Sequence, residues 1–265
     1  MQKKIIVVKI GGSTLGNHDT TLEDLVDLQK KGKYLVVVHG GAKVTTEWLA
    51  RLGIPTSFVN GLRVTDAETL KVVAAALEGL VNKELVVAIQ ALGGKAVGLS
   101  GCDGNLLWAS VESPEMGYVG EIIAVDPTPL KTLLKAGYMP VIAPISFGSV
   151  EGRVMLLNVN GDTAAGEIAA ALAAEKLIFL TDVDGIHDDS EQVFHKLNLV
   201  EAKHVVASGV ASGGMIPKIE ASLRALTTTK VARIMDGRTA HALRDDITGK
   251  ARQIIKSGGT TIVSE

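Results

Sequence analysis

Aromatic residues are scarce in this chain. Phe, Trp and Tyr make up 3% of its 265 residues, while hydrophobic residues make up 46%, so the core has to be built from Ala, Val, Ile and Leu. Cysteine occurs once, as Cys102, which excludes a disulfide framework and a cysteine metal site. The six histidines are scattered, and none makes a metal-ligand pair at helical spacing. There is no basic run and the formal net charge is −2, so the electrostatic footprint of a nucleic-acid binder is missing. No apolar run is long enough to span a bilayer, and no signal-peptide pattern precedes the first strand. A soluble cytoplasmic protein is the default expectation. No Pro- or Ser-rich linker and no repeat divides the chain, whose length suits one large α/β domain or two small ones. Two nucleotide signatures are also absent: the Walker A pattern, and G-x-G-x-x-G after a first strand.

What the chain has in abundance is β-branched runs. "KIIVVKI", "YLVVVHG", "AVGLSG", "MPVIAPI", "KLIFLTD" and "KVARIMDG" read as strands, the most continuous of them buried on both faces. Between them lie helical stretches: Glu23–Lys30, Ala42–Leu52, a long run capped by Asp66 and reaching Leu92 past Gly79, Pro127–Ala136, Asp162–Ala174, Val200–Ser208 and Pro217–Leu226. The alternation predicts an α/β fold with a mainly parallel sheet. "NLLWASVESPEMGYVGEIIAV" differs, with two short runs about a Ser-Pro turn, and reads as a β-hairpin. Polar and glycine-rich segments fall at the carboxyl ends of the strands, where open parallel sheets bind ligands.

Several of these segments have both a chemical and a purely structural reading. In "KIGGS", Gly11 and Gly12 let backbone N–H groups approach an anion, with Lys9 beside them; a tight turn with a snorkelling lysine fits equally. A lysine so deep in an apolar run favours function, because an unpaired buried ammonium is costly. Gly40 and Gly41 in "HGGAK" put a helix N-terminus where it can face an anion, or simply make a turn. Arg63 in "NGLRVTD" can grip a carboxylate with two parallel hydrogen bonds, or sit on the surface, while Asp66 reads as an N-cap. Asn158, Asn160 and Asp162 precede a helix of small residues. Asn160 suits the N-cap, and Asp162 either answers the helix dipole or orients nearby cations. "TDVDGIHDD" fails as a calcium loop because Val193 stands where the closing Glu is needed, leaving a nucleotide-binding turn or a solvated acidic loop. Lys218 opposes the dipole of its own helix, so it is exposed or serves as a second cation aimed at phosphate.

In order, "VKIGGS", "VVHGG", "NGLRVTD", "VNKELV", "AVGLSGCDG", "YMPVIAPI", "LNVNGDTAAG", "KLIFLTDVDGI", "GGMIPKIEASLRAL" and "GGTTI" resemble the amino-acid kinase family from Lys9 to Thr261. "NGLRVTD" resembles the members that act on N-acetyl-L-glutamate. The resemblance implies a three-layer α/β/α sandwich in one amino-acid kinase domain, with residues 1–174 holding the amino acid and 175–265 the nucleotide. It also implies transfer of the ATP γ-phosphoryl group to the side-chain carboxylate of N-acetyl-L-glutamate, in arginine biosynthesis. By similarity Lys9, Asp162 and Lys218 are catalytic, with Asp162 holding the lysines rather than acting as a base. Gly11 and Gly12 bind phosphate. Gly41, Ala42, Arg63 and Asn158 bind the amino acid. Asp182, Val183, Asp184, Gly185, Ile186, His187, Val210, Ala211 and Ser212 line the ATP pocket. Mg²⁺ arrives on ATP, with no protein metal site, and no nucleic acid or membrane partner is implied. A homodimer using the helix around Val72–Leu92 is expected. Only Met1 to Lys4 precede "IIVVK", too short for a stable helix, and arginine-inhibited family members carry such a helix; insensitivity to L-arginine is therefore expected. Ala42 and Gly161 depart from the third glycine and the "NAD" that many members carry. Both resemble relatives that phosphorylate aminoadipate or glutamate linked to a carrier protein, the alternative substrate class. A non-catalytic sensor of the same fold would be expected to lose one of the three charged residues.

Overall fold

The computed structural model describes residues 4–11, 20–59, 61–249 and 258–264. In chain order the elements are β1 (Ile5–Ile10), α1 (Thr21–Lys30), β2 (Tyr34–His39), α2 (Ala42–Arg51), β3 (Phe58–Val59), β4 (Leu62–Arg63) and α3 (Ala67–Ala74). A π-helical segment, Ala75–Val81, joins α3 to α4 (Asn82–Ala91). There follow β5 (Ala96–Ser100), β6 (Leu107–Val111), β7 (Gly120–Val125), α5 (Thr128–Lys135), β8 (Met139–Ala143), β9 (Ile145–Val150), β10 (Arg153–Asn158) and α6 (Gly161–Ala171). The chain continues through β11 (Lys176–Thr181), β12 (Lys196–Asn198), α7 (Leu199–Ala207), α8 (Met215–Ala225), β13 (Val231–Asp236), α9 (Ala242–Thr248) and β14 (Thr260–Val263).

Eight strands form the central sheet in the order β12-β14-β13-β11-β1-β2-β8-β5. Its middle is parallel, and β14 runs antiparallel to β13. The continuous apolar runs follow from cores on both faces. With the two-residue period of a strand, Val7, Val36, Val38, Leu177 and Phe179 enter one core together with α6 and α8 residues such as Ile168 and Ile219. Ile6, Val8, Leu35, Val37, Ile178 and Leu180 enter the other, with Leu25 of α1 and Ile89 of α4. The three-layer α/β/α arrangement with a mainly parallel sheet is thus borne out.

A second sheet, β10-β9-β6-β7, stands beside it. The expected hairpin is β6 and β7, antiparallel, with a 3₁₀ turn at Pro114–Met116 between them. Its partners β9 and β10 were not marked by the sequence reading, which carried "MPVIAPI" as one strand. Met139–Ala143 of that run is β8, and past Pro144 its last residue, Ile145, opens β9 in the other sheet. The other elements that escaped the reading are small: β3, β4, β12, β14 and the seven-residue α9. Both expected caps are present. Asp66 accepts from the Thr69 N–H, and Asn160 accepts from the N–H groups of Asp162 and Thr163. Among the described residues, no helix is long and apolar enough to cross a membrane.

Candidate active site

Strand parity decides which way Lys9 points. It shares the face of Val7, so its side chain enters the layer that holds α6. There it is 8% exposed, and its Nζ lies 2.8 Å from Asp162 Oδ1. Lys218 approaches from α8, donating to Asp162 Oδ2 at 3.1 Å and to its own Gly214 carbonyl at 2.8 Å. The Lys9 contact is an ion pair rather than an aligned hydrogen bond, so Asp162 Oδ1 keeps accepting capacity. Burial would push the Asp162 carboxyl up, but the charges of Lys9 and Lys218 and their contacts outweigh it and hold the group below the usual carboxylate range.

Two local features bring these three side chains together. The Asn160 cap, with Oδ1 2.7 Å from the Asp162 N–H, fixes the first turn of α6 and leaves Asp162 in the positive end of its dipole. The stripe of small residues lets α6 and α8 touch. A Cβ on Gly166 would lie 2.6 Å from the Ala221 carbonyl oxygen, so only glycine permits this approach. Gly161 is different: a Cβ there would meet His39 O at 3.4 Å and Lys9 Cε at 3.6 Å, which is ordinary contact. The alanine carried here by many members of the resembled family would therefore fit.

These residues open onto a cavity of about 250 Å³ lined by Lys9, Asp162, Gly41, Ala42, Arg63 and Asn158 among others, with Leu77 and Val119 as apolar wall. Gly41 is buried, and a Cβ on it would strike Leu77 Cδ2 at 2.4 Å. Arg63 is 8% exposed. Its Nη2 donates to Thr46 Oγ1 at 2.7 Å and to the Ala42 carbonyl at 3.2 Å, and its guanidinium lies over the Phe58 ring. Its Nη1 is buried without a partner, and burial lowers its pKa. Arg63 is thus no surface arginine; it lines the cavity, with one prong of its fork buried and unpaired. Asn158 donates to Thr65 Oγ1 at 3.1 Å. Three cations against one carboxylate make this site suited to anions.

The remaining expected positions divide. The Gly11 N–H donates to Leu180 O at 3.0 Å, continuing the ladder; Gly12 lies outside the described residues. Asp182–His187 follow β11 at its carboxyl end, and Val210–Ser212 lie between α7 and α8. The side chains of Ile186 and Ala211 belong to the core, and the Ile186 carbonyl accepts from the Phe194 N–H at 2.8 Å. The Ile186 N–H is held by Thr260 Oγ1, and His187 pairs with Asp184 at 2.8 Å. Neither segment lines the cavity of Lys9 and Arg63. Thr46, Phe58 and Leu77 are site-forming residues the sequence reading missed. Thr46 lies four residues after Ala42 on the amphipathic α2, a spacing that puts both on one face; Phe58 and Leu77 carry no local signal.

The family model of the Amino acid kinase family matches residues 4–236. A protein of Dehalococcoides mccartyi (strain CBDB1) named acetylglutamate kinase is 44% identical over 247 residues, covering 92% of this chain and 91% of that protein. One of the same name from Synechocystis sp. (strain ATCC 27184 / PCC 6803 / Kazusa) is 42% identical over 269 residues, covering 96% and 89%. Among solved structures, smu.665 from Streptococcus mutans UA159 superposes with a TM-score of 0.82 at 27% identity, covering 98% of this chain and 99% of that one. The sheet order, the lysine–aspartate–lysine cluster and these similarities agree, and the chain belongs to the Amino acid kinase family.

Proposed function

We propose that this chain transfers the γ-phosphoryl group of ATP to the side-chain carboxylate of N-acetyl-L-glutamate, forming an acyl phosphate in arginine biosynthesis. Relatives named acetylglutamate kinase, 42–44% identical over nearly the whole chain, support the substrate. The observation that carries the chemistry is the pair of ammonium groups held 2.8 and 3.1 Å from one buried carboxylate at the mouth of an anion-suited cavity. A carboxylate nucleophile has a pKa of about 4.3 and is ionised at neutral pH, so no general base is required. Its oxygen attacks the γ-phosphorus, the bond to the β-phosphate oxygen breaks, and ADP leaves with the electron pair. What the protein must supply is alignment of two anions and relief of their repulsion. Lys9 and Lys218 provide the charge, and Asp162 holds them.

Arg63 takes the α-carboxylate with its free Nη1, Gly41 and Ala42 border the substrate, and Asn158 meets the amide end. Residues up to 174 form the amino-acid lobe and 175–265 the nucleotide lobe, in keeping with a cavity lined mostly from the first and closed by Gly214 and Pro217 of the second. Asp182–His187 and Val210–Ser212 contact the nucleotide. Mg²⁺ comes on the ATP phosphates, in keeping with an Asp162 already engaged by two lysines, and when bound it offsets phosphate charge. A homodimer is favoured by the open outer edge of β5 and by the exposure of Val87 and Leu92 on and just past α4.

The test is ADP release with ATP and Mg²⁺ against a panel of N-acetyl-L-glutamate, L-glutamate, N-acetyl-L-aspartate, L-2-aminoadipate and a carrier-linked glutamate. Turnover confined to N-acetyl-L-glutamate is expected. Preference for the carrier-linked substrate would transfer the protein to the other biosynthetic role, and no turnover with any of them would refute the proposal.

A further inference from the structure

Strand parity sends His39 away from Lys9. It shares the face of Leu35 and Val37, on the α4 side of the sheet, and it is fully buried. Its Nδ1 lies 2.8 Å from the carbonyl oxygen of Gly40, the next residue, and its Nε2 lies 3.1 Å from Asn82 Nδ2. Asn82 is the first residue of α4, directly after the π-helical segment, and is 1% exposed. Its Nδ2 also faces the carbonyl oxygens of Val141 at 2.9 Å and Leu99 at 3.3 Å, while its Oδ1 accepts from Lys83 Nζ at 3.1 Å. The reverse amide orientation would set an oxygen against two carbonyl oxygens and an NH₂ against an ammonium, so the observed one is forced.

The tautomer of His39 follows from that amide. Nε2 faces a donor and must accept, so the single proton of the neutral ring sits on Nδ1 and is donated to Gly40 O. Burial, together with the charges of Lys9 and Lys83, keeps the ring neutral: its pKa falls to about 4, the Gly40 hydrogen bond offsetting only part. The Gly40–Gly41 peptide is trans, as are all the described peptide bonds, so its N–H points opposite its C=O. With the carbonyl drawn to His39, the Gly41 N–H turns the other way, at the cavity wall formed by Gly40, Gly41 and Ala42. It has no hydrogen-bond acceptor among the described residues. Gly98 makes room for this relay: a Cβ there would lie 1.9 Å from Asn82 Oδ1.

We propose that His39 and Asn82 are positioning residues, which lock the Gly40–Gly41 peptide so that the Gly41 N–H is a preset donor to the reacting carboxylate of the substrate. The identity of that carboxylate rests on the proposed function; the tautomer and the peptide orientation do not. The control runs from α4, through Asn82 and one imidazole, to a backbone dipole aimed where charge shifts during transfer.

The test uses the full chain. With ¹⁵N-labelled histidine, a long-range ¹H–¹⁵N correlation at pH 7 should find His39 with a proton on Nδ1 and none on Nε2, assigned by the signal lost in His39→Asn. An Nε2–H tautomer or an imidazolium at that pH overturns the proposal without any reference to activity. On adding N-acetyl-L-glutamate, the Gly41 amide proton should move downfield; no movement while the ligand binds also overturns it. In kinetics, His39→Leu removes the donor and should lower kcat by on the order of a hundredfold, with the KM for ATP unchanged. His39→Asn can still donate to Gly40 O and should recover at least tenfold of that loss. Equal losses in the two variants would mean a merely structural histidine. If the variants do not fold, the wild-type spectrum still decides, with His39 assigned instead by backbone-to-ring correlations in uniformly labelled protein, and a wild type inactive on N-acetyl-L-glutamate but carrying the Nδ1–H tautomer would fault the substrate alone.

Discussion

Replacing Asp162 by Asn keeps the shape of the side chain and removes only its charge. At an effective dielectric of 20, each contact near 3 Å carries about 5 kcal/mol of Coulomb attraction, which the variant loses while the two ammoniums left behind go on repelling each other. Much of this gross attraction is cancelled in the wild type by the cost of burying three charges, so the net loss expected is about 3–5 kcal/mol, the usual cost of breaking a buried pair. Urea unfolding at pH 7 reads it directly. The sign with pH is fixed by the lowered Asp162 pKa. The wild-type advantage is fully present above the unfolded value, about 3.8, and is lost as pH falls through the lower folded value; the Asp162→Asn variant has no such dependence. Sulfate should stabilise that variant more than wild type, because two cations without a counter-ion bind anions. In turnover, kcat should fall on the order of a hundredfold or more, since the lysines lose their aim. A loss below about 1 kcal/mol, with near-normal kcat, would refute the organising role of Asp162.

Arg63→Lys keeps the charge but loses the planar fork, and the free Nη1 with it; the KM for the amino acid should rise about tenfold or more while that for ATP stays put, and equal weakening of both would make Arg63 structural. Gly161→Ala and Gly166→Ala should have opposite signs. The first fits and lowers the entropy of the unfolded chain, for a gain of about 0.4–1 kcal/mol with activity retained. The second drives a methyl into the Ala221 carbonyl and should cost about 1–3 kcal/mol; thermal melts of the pair with the same sign would contradict the packing of α6 on α8. Because the unfolded state binds a proton that buried His39 refuses until about pH 4, stability should fall by about 3 kcal/mol between pH 6.5 and pH 4. His39→Gln, measured across the same range by urea titration, should lose that slope; an unchanged slope would assign it to other groups.

The sequence by itself determined the layers. Short β-branched apolar runs bounded by turn residues read as strands covered on both faces, and the turn chemistry and caps at Asp66 and Asn160 act over three residues, so they are legible locally. Period-two alternation groups Lys9 with Val7 and His39 with Val37, but which helices cover each face is settled only by the packing. Tertiary structure alone decided what those side chains meet. The ion pairs of Asp162 join residues 153 and 56 positions apart in the chain, and the amide that sets the His39 tautomer lies 43 residues on, just past a π-helical segment. Pro144 and the more polar Ile145–Val150 mark a local break after the apolar Met139–Ala143, but which sheet each strand enters depends on partners elsewhere in the chain. Gly161 and Gly166 are the same residue five places apart in one helix, and only the packing of α8 makes one dispensable and the other required. Propensity is a property of neighbours in sequence, whereas charge pairing, close approach and tautomer are set by whatever the fold brings within about 3 Å.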